Sequence, residues 1–333
     1  MQAKPLRVSV TGATGLTGSH TVRALLESGH EVRAFVRNPR KAETLFLEHE
    51  GALELVQGDI TEPASVADAL HGCDGVIHCA AVVAAGRDAA AAKLLETNVS
   101  GVRNVIGTAL ELGIRRIVHV SSLATLFRGD GTVLSEDSEA RPSEHAYGQS
   151  KTLADAYVRK LQVAGHPIQI VYPAAIIGPD DPGLSESMMA LRAFIEDFIP
   201  ITTGGMQFVD ARDLGVAHCR ILESEPAPAR YLAAGTFLRW SQLASEIEQA
   251  NARPPRAIPF PAPLLRGAGR LLDLVRKVLP VRLPLTAEAA AYITRWDAVP
   301  NSAALEEMGV RFRDVSETMT DSIRWLKEAG YLS

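Results

Sequence analysis

The chain has 333 residues, 47% of them hydrophobic, and its 34 Lys and Arg residues are outnumbered by 39 Asp and Glu residues. Because typical domains have about 100–150 residues, this length predicts one large α/β unit or two associated domains. A net charge of −5 argues against nucleic-acid binding, because a nucleic-acid-binding protein normally has a basic face.

Cysteine usage and the N-terminal residues indicate where the protein works. Cys73, Cys79 and Cys219 form no CxxC pair, and the nine histidines show no HExxH spacing, so we expect neither a disulfide framework nor a metal site. No run of 18 apolar residues is present, which predicts that no helix spans a membrane. Residues 1–10 lead directly into a strand pattern rather than a signal peptide, so we expect a reduced, cytoplasmic protein.

Strand and helix patterns alternate along the first half of the chain. Short apolar runs rich in β-branched residues predict strands at residues 8–11, 32–36, 53–57, 76–79, 117–121 and 168–172. Helical patterns lie between them, notably over residues 90–112 and 147–164. Such alternation builds a parallel sheet with helices on both faces. The predicted fold class is therefore α/β, a Rossmann-type doubly wound parallel sheet.

The pattern becomes less regular after Pro179, where Pro and Gly are frequent. We predict a nucleotide-binding Rossmann domain from residues 1–180 and 206–240, and a smaller substrate-binding domain or lid from residues 181–205 and 241–333. Residues 264–279 combine leucines and valines at helical spacing with basic residues. We expect this segment to pack on the main domain through its apolar face, without membrane contact; peripheral contact with a lipid surface is the alternative.

The loop after the first predicted strand is rich in glycine. Residues 11–18 read TGATGLTG, a GxxGxxG spacing that leads into the first helix. Gly12, Gly15 and Gly18 would let the backbone turn sharply and approach a diphosphate, which the N–H groups of a helix N-terminus favour. With Thr14 and Leu16, these residues are candidate dinucleotide contacts, and a plain tight turn is the alternative.

The end of the second predicted strand carries cations. Residues 35–41 read FVRNPRK, without the carboxylate that usually binds the ribose hydroxyls of NAD(H). Arg37 is the best candidate for binding a 2′-phosphate, since its planar guanidinium matches a phosphate bidentately. The sequence therefore predicts NADP(H) as the preferred cofactor, with NAD(H) as the second choice; a solvated basic turn is the alternative interpretation.

Tyr147 and Lys151 are spaced i, i+4 on a predicted helix, which places both on one face. A free tyrosine has a pKa of about 10, and a nearby cation stabilises the phenolate and brings proton transfer closer to neutral pH. Their helix follows the fifth predicted strand, which leads into Ser121 and Ser122. We therefore interpret the pair as catalytic rather than as an exposed surface pair.

These motifs, in this order, resemble the short-chain dehydrogenase/reductase superfamily, and within it the extended branch, the NAD-dependent epimerase/dehydratase family. The resemblance covers nearly the whole chain. It includes the glycine loop, GDI at 58–60, HCAA at 78–81, TNVSG at 97–101, VSS at 120–122, YGQSK at 147–151 and FVDARD at 208–213. The stretch VRAFVRNP at 32–39 is most similar to the dihydroflavonol 4-reductase and 3β-hydroxysteroid dehydrogenase groups.

The resemblance implies roles for the catalytic residues. Tyr147 would exchange a proton with the substrate carbonyl or hydroxyl oxygen. Lys151 would lower the pKa of Tyr147 and hydrogen-bond the nicotinamide ribose. Ser122 would hold the substrate oxygen, with Ser121 the weaker candidate.

The resemblance also implies the cofactor contacts. Asp59 and Ile60 would flank the adenine, Ala80 and Ala81 would line the dinucleotide backbone, and Pro173 would border the nicotinamide pocket.

Other positions carry less specific implications. Asn98 would either support a water relay beside the cofactor or bond the backbone of a neighbouring strand. Asp210, Arg212 and Asp213 are expected to form a structural, ion-paired turn. Tyr172 stands where many family members have an arginine, which leaves one charge fewer near the site.

The departures from the family pattern narrow the function. Leu123 and Ala124 follow Ser122 where sugar-nucleotide dehydratases carry Asp-Glu, so we do not expect dehydratase activity. We expect an NADP(H)-dependent ketone or aldehyde reductase, reversible as an alcohol dehydrogenase, acting on an apolar or aromatic small molecule. A nucleotide-sugar epimerase with tightly bound NAD(H) and a non-catalytic NADP-binding sensor are the alternatives. The resemblance also implies a homodimer, paired through the helices at residues 90–112 and 147–164.

Overall fold

The computed structural model describes residues 4–47, 51–82, 88–143, 146–276 and 286–332. The strands are β1 (Arg7–Thr11), β2 (Glu31–Val36), β3 (Leu53–Gln57), β4 (Gly75–His78), β5 (Arg116–Val120), β6 (Ile168–Pro173), β7 (Ala175–Ile177), β8 (Ile199–Ile201), β9 (Gly205–Asp210), β10 (Ala229–Ala233), β11 (Thr236–Arg239) and β12 (Ala257–Pro259). The helices are α1 (Leu16–Glu27), α2 (Pro39–Leu45), α3 (Pro63–Leu70), α4 (Asp88–Glu111), α5 (Ala146–Val163), α6 (Glu186–Glu196), α7 (Ala211–Glu223), α8 (Trp240–Asn251), α9 (Ala262–Arg276), α10 (Ala287–Arg295), α11 (Ala303–Glu307) and α12 (Val315–Glu328).

Seven strands form one parallel sheet in the order β3-β2-β1-β4-β5-β6-β10. The strand order reverses between β1 and β4, and ligands of doubly wound sheets bind at such a switch point, beyond the carboxyl ends of the strands. The predicted fold class is confirmed, and each of the six predicted strands lies within one residue of its observed ends. The seventh strand, β10, was not predicted.

The central strands are apolar on both faces because alternate side chains enter different cores. Ile77 and Val118 pack with side chains of α1 and α7 on one face of the sheet. Val76 and Ile117 pack with side chains of α4 and α5 on the other face. This double burial explains why these strands are near-continuous apolar runs in the sequence.

The second half of the chain builds a smaller layer beside the carboxyl ends of the main strands. It contains a three-stranded sheet, β11-β9-β7, and a two-stranded sheet, β12-β8. Met188, Phe208, Leu243 and Ile323 form part of its core. We keep the division into residues 1–180 with 206–240 and residues 181–205 with 241–333 as a proposal. Leu305, in α11, nevertheless packs in the core of the main sheet.

The turn before α7 is a structural ion-paired turn, as expected. The Asp210 carboxylate caps α7 by accepting a hydrogen bond from the Arg212 backbone N–H at 2.8 Å. The Arg212 guanidinium bridges Asp210 and Asp321 at 2.7 and 2.8 Å, and Asp213 pairs with Arg313. These contacts attach the C-terminal residues to the sheet.

The predicted helix at residues 264–279 corresponds to α9, and residues 277–285 lie outside the described ranges. Within those ranges, no helix combines the length and the apolar character needed to cross a bilayer.

Close packing of α1 on α7 predicts a specific stability effect at Gly215. A Cβ at this position would lie 2.5 Å from the carbonyl oxygen of His20, a backbone atom that cannot move aside cheaply. We expect Gly215→Ala to reduce the free energy of unfolding by about 1–3 kcal/mol, through overpacking. The measurement is urea-induced unfolding followed by circular dichroism.

Gly107 in α4 is the matched control, because a Cβ there would find its nearest neighbour, the Tyr157 hydroxyl, at 3.7 Å. The Gly107→Ala substitution should raise the free energy of unfolding by about 0.5–1 kcal/mol, the helix-propensity gain of alanine over glycine. Equal midpoints for the two variants would contradict the packing argument.

Candidate active site

A cavity of about 800 Å³ lies at the carboxyl ends of the parallel strands, across the switch point between β1 and β4. One end is bordered by the glycine loop and the residues after β2 and β3, and the other by α5 and the smaller layer. Predicted site residues that line it are Gly12, Thr14, Gly15, Leu16, Gly18, Arg37, Asp59, Ile60, Ala80, Ala81, Ser122, Tyr147, Lys151 and Pro173.

The glycine loop approaches neighbouring backbone so closely that side chains are excluded. Gly12 has φ +69°, and a Cβ on it would lie 2.8 Å from both the N and the Cα of Ala80. A Cβ on Gly18 would collide with the carbonyl oxygen of Gly12. These contacts hold the loop against the residues after β4, which opens a backbone-lined surface to a ligand.

The first turn of α1 faces this surface. Gly15 is the N-cap residue and has no side chain that could accept hydrogen bonds from the first-turn N–H groups. Such N–H groups, together with the helix dipole, suit an anion. The loop therefore fits the diphosphate of a dinucleotide.

The far end of the cavity carries positive charge. Arg37 is exposed and lines the cavity together with Lys41, whereas Arg40 does not line it. The Asp59 carboxylate accepts hydrogen bonds from the backbone N–H and the hydroxyl of Thr61, at 2.9 and 2.8 Å. Although burial raises the pKa of Asp59, these bonds and the charge of Arg37 bring it below its ordinary value. The Ile60 side chain packs on Gly101 of α4 and forms part of the wall.

Asn98 lies behind the wall rather than on it. Its side chain is 3% exposed, accepts a hydrogen bond from the Val82 backbone N–H at 2.7 Å, and donates to the Val82 carbonyl at 2.8 Å and to Ser150 at 2.9 Å. Of the two roles implied for Asn98, these contacts agree with the second, bonding to neighbouring backbone. The Asn98 amide holds the segment after β4 against α5, and Asn98 is not among the residues that line the cavity.

Tyr147, Lys151 and Ser122 all line the cavity. Lys151 is only 8% exposed, donates a hydrogen bond to the Val120 carbonyl at 3.3 Å, and lies with its Nζ 6.0 Å from the centroid of the Tyr147 ring. The Ser122 hydroxyl accepts a hydrogen bond from the Ala124 N–H at 3.2 Å, which leaves its own proton available for a ligand oxygen. Ser121 is buried and donates instead to Asp155 at 3.2 Å, consistent with its weaker candidacy.

Burial is the main cause of the pKa shifts of Lys151 and Tyr147. It lowers the pKa of Lys151 to about 8. Burial also raises the pKa of Tyr147 well above its ordinary value, and the carboxylate of Glu186 raises it further. The expected lowering of the Tyr147 pKa by Lys151 is not seen in this structure, where burial and the charge of Glu186 both raise it. At neutral pH the phenol holds its proton, so Tyr147 is available as a proton donor.

A buried polar network lies behind the site and explains Tyr172. Its hydroxyl donates to Asp155 at 2.6 Å and accepts a hydrogen bond from Arg159 at 2.8 Å. Arg159 also forms an ion pair with Asp155 at 2.6 Å. Tyr172 thus does not merely remove a charge: it joins β6 to α5, one helical turn beyond Lys151. The i, i+4 spacing of Asp155 and Arg159 is a local pattern, but nothing in the sequence indicates that Tyr172 of β6 joins them.

The substrate end of the cavity is largely apolar. Tyr292 and Trp296 stack at 5.1 Å between ring centroids, and Phe127 lies 4.3 Å from Tyr292. Phe194, Met206, Trp240 and Ile293 complete the apolar lining. Gln207 also lines this end, but its amide exchanges hydrogen bonds with the backbone of Val299 at 2.7 and 3.0 Å.

Sequence reasoning missed Glu186 and the aromatic residues of this wall. Glu186 stands in the first turn of α6 and lines the cavity. Its position follows from packing of the smaller layer, for which the sequence offers no motif.

A separate group, His30, Cys219 and Glu223, has the composition of a metal site. The Leu6 backbone N–H donates to Nδ1 of His30 at 3.2 Å, so the imidazole proton lies on Nε2, which is 3.1 Å from a Glu223 oxygen. A metal at Nε2 would require the other tautomer. Burial also raises the pKa of the Cys219 thiol to about 11, which disfavours the thiolate that metals bind. We therefore interpret His30 and Glu223 as a structural hydrogen-bonded pair, with the Cys219 thiol beside them.

A doubly wound sheet, a glycine loop at its switch point and a Tyr-Lys pair beside a serine define an NAD(P)-dependent oxidoreductase-type site. The chain belongs to the NAD dependent epimerase/dehydratase family, whose model matches residues 8–234. It is an NAD(P)-dependent enzyme of the extended short-chain dehydrogenase/reductase superfamily, and the predicted family is confirmed.

Individual relatives cover almost the whole chain. Sterol demethylase protein B of Methylococcus capsulatus is 30% identical over 331 residues, which cover 97% of this chain and 99% of the relative. Cinnamoyl-CoA reductase 1 of Petunia hybrida is 26% identical over 98% of this chain and 93% of its own length. The crystal structure of gox2253 superposes with a TM-score of 0.84 at 26% identity, covering 98% of this chain and 99% of that one. Dihydroflavonol reductase-like proteins are also among the relatives, which agrees with the predicted subgroup.

The carboxylate of Glu186 predicts a pH effect on Tyr147. In the role that the family resemblance implies, Tyr147 would accept a proton during alcohol oxidation, so the active form would be the phenolate. Because Glu186 raises the pKa of Tyr147, removing its charge should lower that pKa and make the phenolate available at lower pH. We expect Glu186→Gln to shift the rising limb of the pH–rate profile for alcohol oxidation toward lower pH.

Glu196→Gln, on the same helix but paired with Arg192 outside the cavity, is the control and should leave the profile in place. The profile is recorded by reduction of the oxidised nicotinamide cofactor in the presence of an alcohol substrate. An unchanged profile for Glu186→Gln would show that its charge does not act on Tyr147.

Proposed function

We propose that this enzyme is an NADP(H)-dependent reductase of apolar or aromatic ketones or aldehydes, reversible as an alcohol dehydrogenase. The observation that carries the proposal is the meeting of Tyr147, Lys151 and Ser122 in one cavity, between a diphosphate-binding loop and an aromatic wall.

The residues present fit a dinucleotide with an additional phosphate. The glycine loop and the first turn of α1 would hold the diphosphate, and Asp59 and Ile60 would flank the adenine. Arg37, with Lys41 beside it, would bind the 2′-phosphate through charge-assisted hydrogen bonds. When bound, the nicotinamide supplies the hydride that reduces the carbonyl carbon.

The chain's own residues would handle the substrate oxygen. The Ser122 hydroxyl would donate a hydrogen bond to the carbonyl oxygen and orient it toward Tyr147. Tyr147 would then deliver its proton to that oxygen as the carbonyl becomes an alcohol. The ammonium of Lys151 would stabilise the phenolate left behind, because a cation close to a phenolate in a desolvated site lowers its free energy.

The apolar end of the cavity supports an apolar or aromatic substrate. The stacked rings of Tyr292 and Trp296 offer a flat surface, and the Gln207 amide is already paired with backbone. One relative is a sterol demethylase protein and another a cinnamoyl-CoA reductase, names that refer to a polycyclic and an aromatic compound. A nucleotide sugar, the substrate of the epimerase alternative, would need polar partners for its hydroxyls, which this wall supplies poorly.

We also propose a homodimer paired through α4 and α5, with the enzyme working in the cytoplasm. These two helices pack side by side on one face of the main sheet.

The preference for NADP(H) can be tested at Arg37. Loss of one charge-assisted phosphate contact should raise the Kd for NADPH at least about tenfold in Arg37→Ala. The Kd for NADH should stay unchanged, since that cofactor carries no 2′-phosphate. Fluorescence titration of both cofactors measures the two constants.

Arg40→Ala serves as the control, because Arg40 lies three residues away on the same basic stretch but does not line the cavity. It should bind NADPH like the wild type. Equal affinities of the wild type for NADPH and NADH would refute the proposed preference.

The proposed chemistry is tested by a screen of NADPH oxidation with aromatic ketones, steroid ketones, aldehydes and nucleotide sugars. We expect turnover with members of the apolar classes. For an accepted substrate, Tyr147→Phe should lower kcat at least about 100-fold through loss of the proton donor, while the Kd for NADPH remains nearly the same.

Tyr157→Phe is the matched control, since Tyr157 lies on the same helix and contacts Arg103 outside the cavity. It should retain full activity. Undiminished turnover by Tyr147→Phe would overturn the mechanism, and turnover of nucleotide sugars alone would favour the epimerase.

A further inference from the structure

The outward face of α9 exposes three leucines. Leu264, Leu271 and Leu274 are 71%, 61% and 61% exposed. Their spacing of i, i+7 and i+10 places them along one side of the helix. We expected the apolar residues of this segment to pack on the protein. One face of α9 does pack against α10, but the face with these three leucines is exposed.

The opposite face of α9 is fixed against α10. A Cβ on Gly269 would lie 2.6 Å from the Thr286 carbonyl oxygen, so the two helices approach closely there. The Asp273 carboxylate accepts a hydrogen bond from the Ala287 backbone N–H at 2.8 Å, and Arg266 donates to the Thr294 hydroxyl at 3.3 Å. These contacts set the rotation of α9, so its three exposed leucines cannot turn inward without breaking them.

Arginines are frequent within α9 and in the residues just before it. Residues 253–276 contain five arginines and one acidic residue, Asp273, in a chain whose net charge is −5. Arg253, Arg256 and Arg270 are exposed. An apolar stripe bordered by arginines matches the boundary between anionic headgroups and acyl chains, because leucines enter the apolar layer while arginine stems extend their charges to the phosphates.

Two aromatic residues near the start of α9 add apolar surface next to Leu264. Phe260 precedes the helix and packs on Phe198 with ring centroids 6.0 Å apart, and Phe198 is 39% exposed. Phe260 and Leu264 are four residues apart.

We propose that α9 docks the protein on an anionic membrane surface, with Leu264, Leu271 and Leu274 in the acyl boundary and Arg253, Arg256 and Arg270 at the headgroups. The charge complementarity of the arginines selects a lipid surface of negative charge over a neutral one. The contact is peripheral, because α9 lies along the surface with its other face attached to α10.

Docking in this orientation has a consequence for the cavity. Tyr292 and Ile293 of α10 line its substrate end, and α9 covers α10 from outside. The membrane would therefore lie one helix layer away from the substrate end, which suits a carbonyl compound dissolved in lipid. This consequence rests on the proposed function, whereas the docking itself does not.

Vesicle flotation of the full-length protein tests the docking without reference to activity. Vesicles of phosphatidylcholine alone are compared with an equimolar mixture of phosphatidylcholine and phosphatidylglycerol. We expect the protein to float with the mixed vesicles and much less with the neutral ones, and high salt should weaken this binding. The double variant Leu271→Glu with Leu274→Glu should reduce the partition coefficient at least about tenfold, because apolar burial is lost and like charge is introduced.

The control is Leu47→Glu with Val133→Glu, which makes the same kind of exchange at side chains that are 69% and 70% exposed elsewhere on the surface. It should float like the wild type. Arg270→Glu provides a second variant that keeps the leucines and should also bind the mixed vesicles less. NADPH binding and thermal unfolding of every variant verify that the fold is intact.

Three results would overturn the proposal. One is failure of the wild type to float with the mixed vesicles, and another is equal flotation of the wild type and both α9 variants. The third is a smaller sedimenting mass for the leucine double variant than for the wild type in the absence of lipid, which would show that this face covers a second copy of the chain. Absence of turnover by the wild type in the substrate screen would contradict the proposed function but would not affect the conclusion from flotation.

Discussion

The buried ammonium of Lys151 is the interaction on which the geometry of the site depends. A charged amine that is only 8% exposed loses most of its hydration, and this loss lowers its pKa to about 8. The carbonyl of Val120, the last residue of β5, compensates part of the cost by accepting a hydrogen bond. The ammonium is thereby held at the carboxyl end of the central strand, where the sheet topology also brings the glycine loop and Ser122.

Holding Lys151 requires that α5 be fixed, and side chains attach it on two sides. Ser150 accepts a hydrogen bond from Asn98 of α4 and donates to the Tyr147 carbonyl one turn earlier. On the other side, Asp155 accepts a hydrogen bond from the hydroxyl of Tyr172 in β6 and forms an ion pair with Arg159. Because Lys151 lies between these two attachment points, a shift of α5 along its axis would break buried hydrogen bonds on both sides, and leaving such groups unpaired is costly.

The main sheet and the centre of the site were predictable because their determinants are local. The glycine loop, the Arg37 turn and the Tyr147–Lys151 spacing each lie within eight consecutive residues, and buried parallel strands are continuous apolar runs. The strand β10 was missed because Ala229–Ala233 includes a polar arginine and forms the edge of the sheet. Glu186, the Tyr172 network and the aromatic wall depend on contacts between distant segments, which no local pattern encodes. The effect of Lys151 on the pKa of Tyr147 stays a prediction: the cation is visible in the sequence, whereas the burial that raises this pKa in the structure is not.

Under the proposed function, the same desolvation would connect the choice of substrate to the proton transfer at Tyr147. Apolar walls that suit an apolar carbonyl compound also remove water from the phenol of Tyr147, and this keeps its proton in place at neutral pH. A carbonyl oxygen that gains negative charge during reduction becomes more basic than the phenolate, so proton transfer from Tyr147 becomes favourable only as the reduction proceeds. The reverse reaction must first remove the proton from a phenol whose pKa is raised by burial and by Glu186. A more polar wall would lower that barrier to oxidation and would at the same time weaken the fit of an apolar substrate, so the two properties of this cavity are not independent.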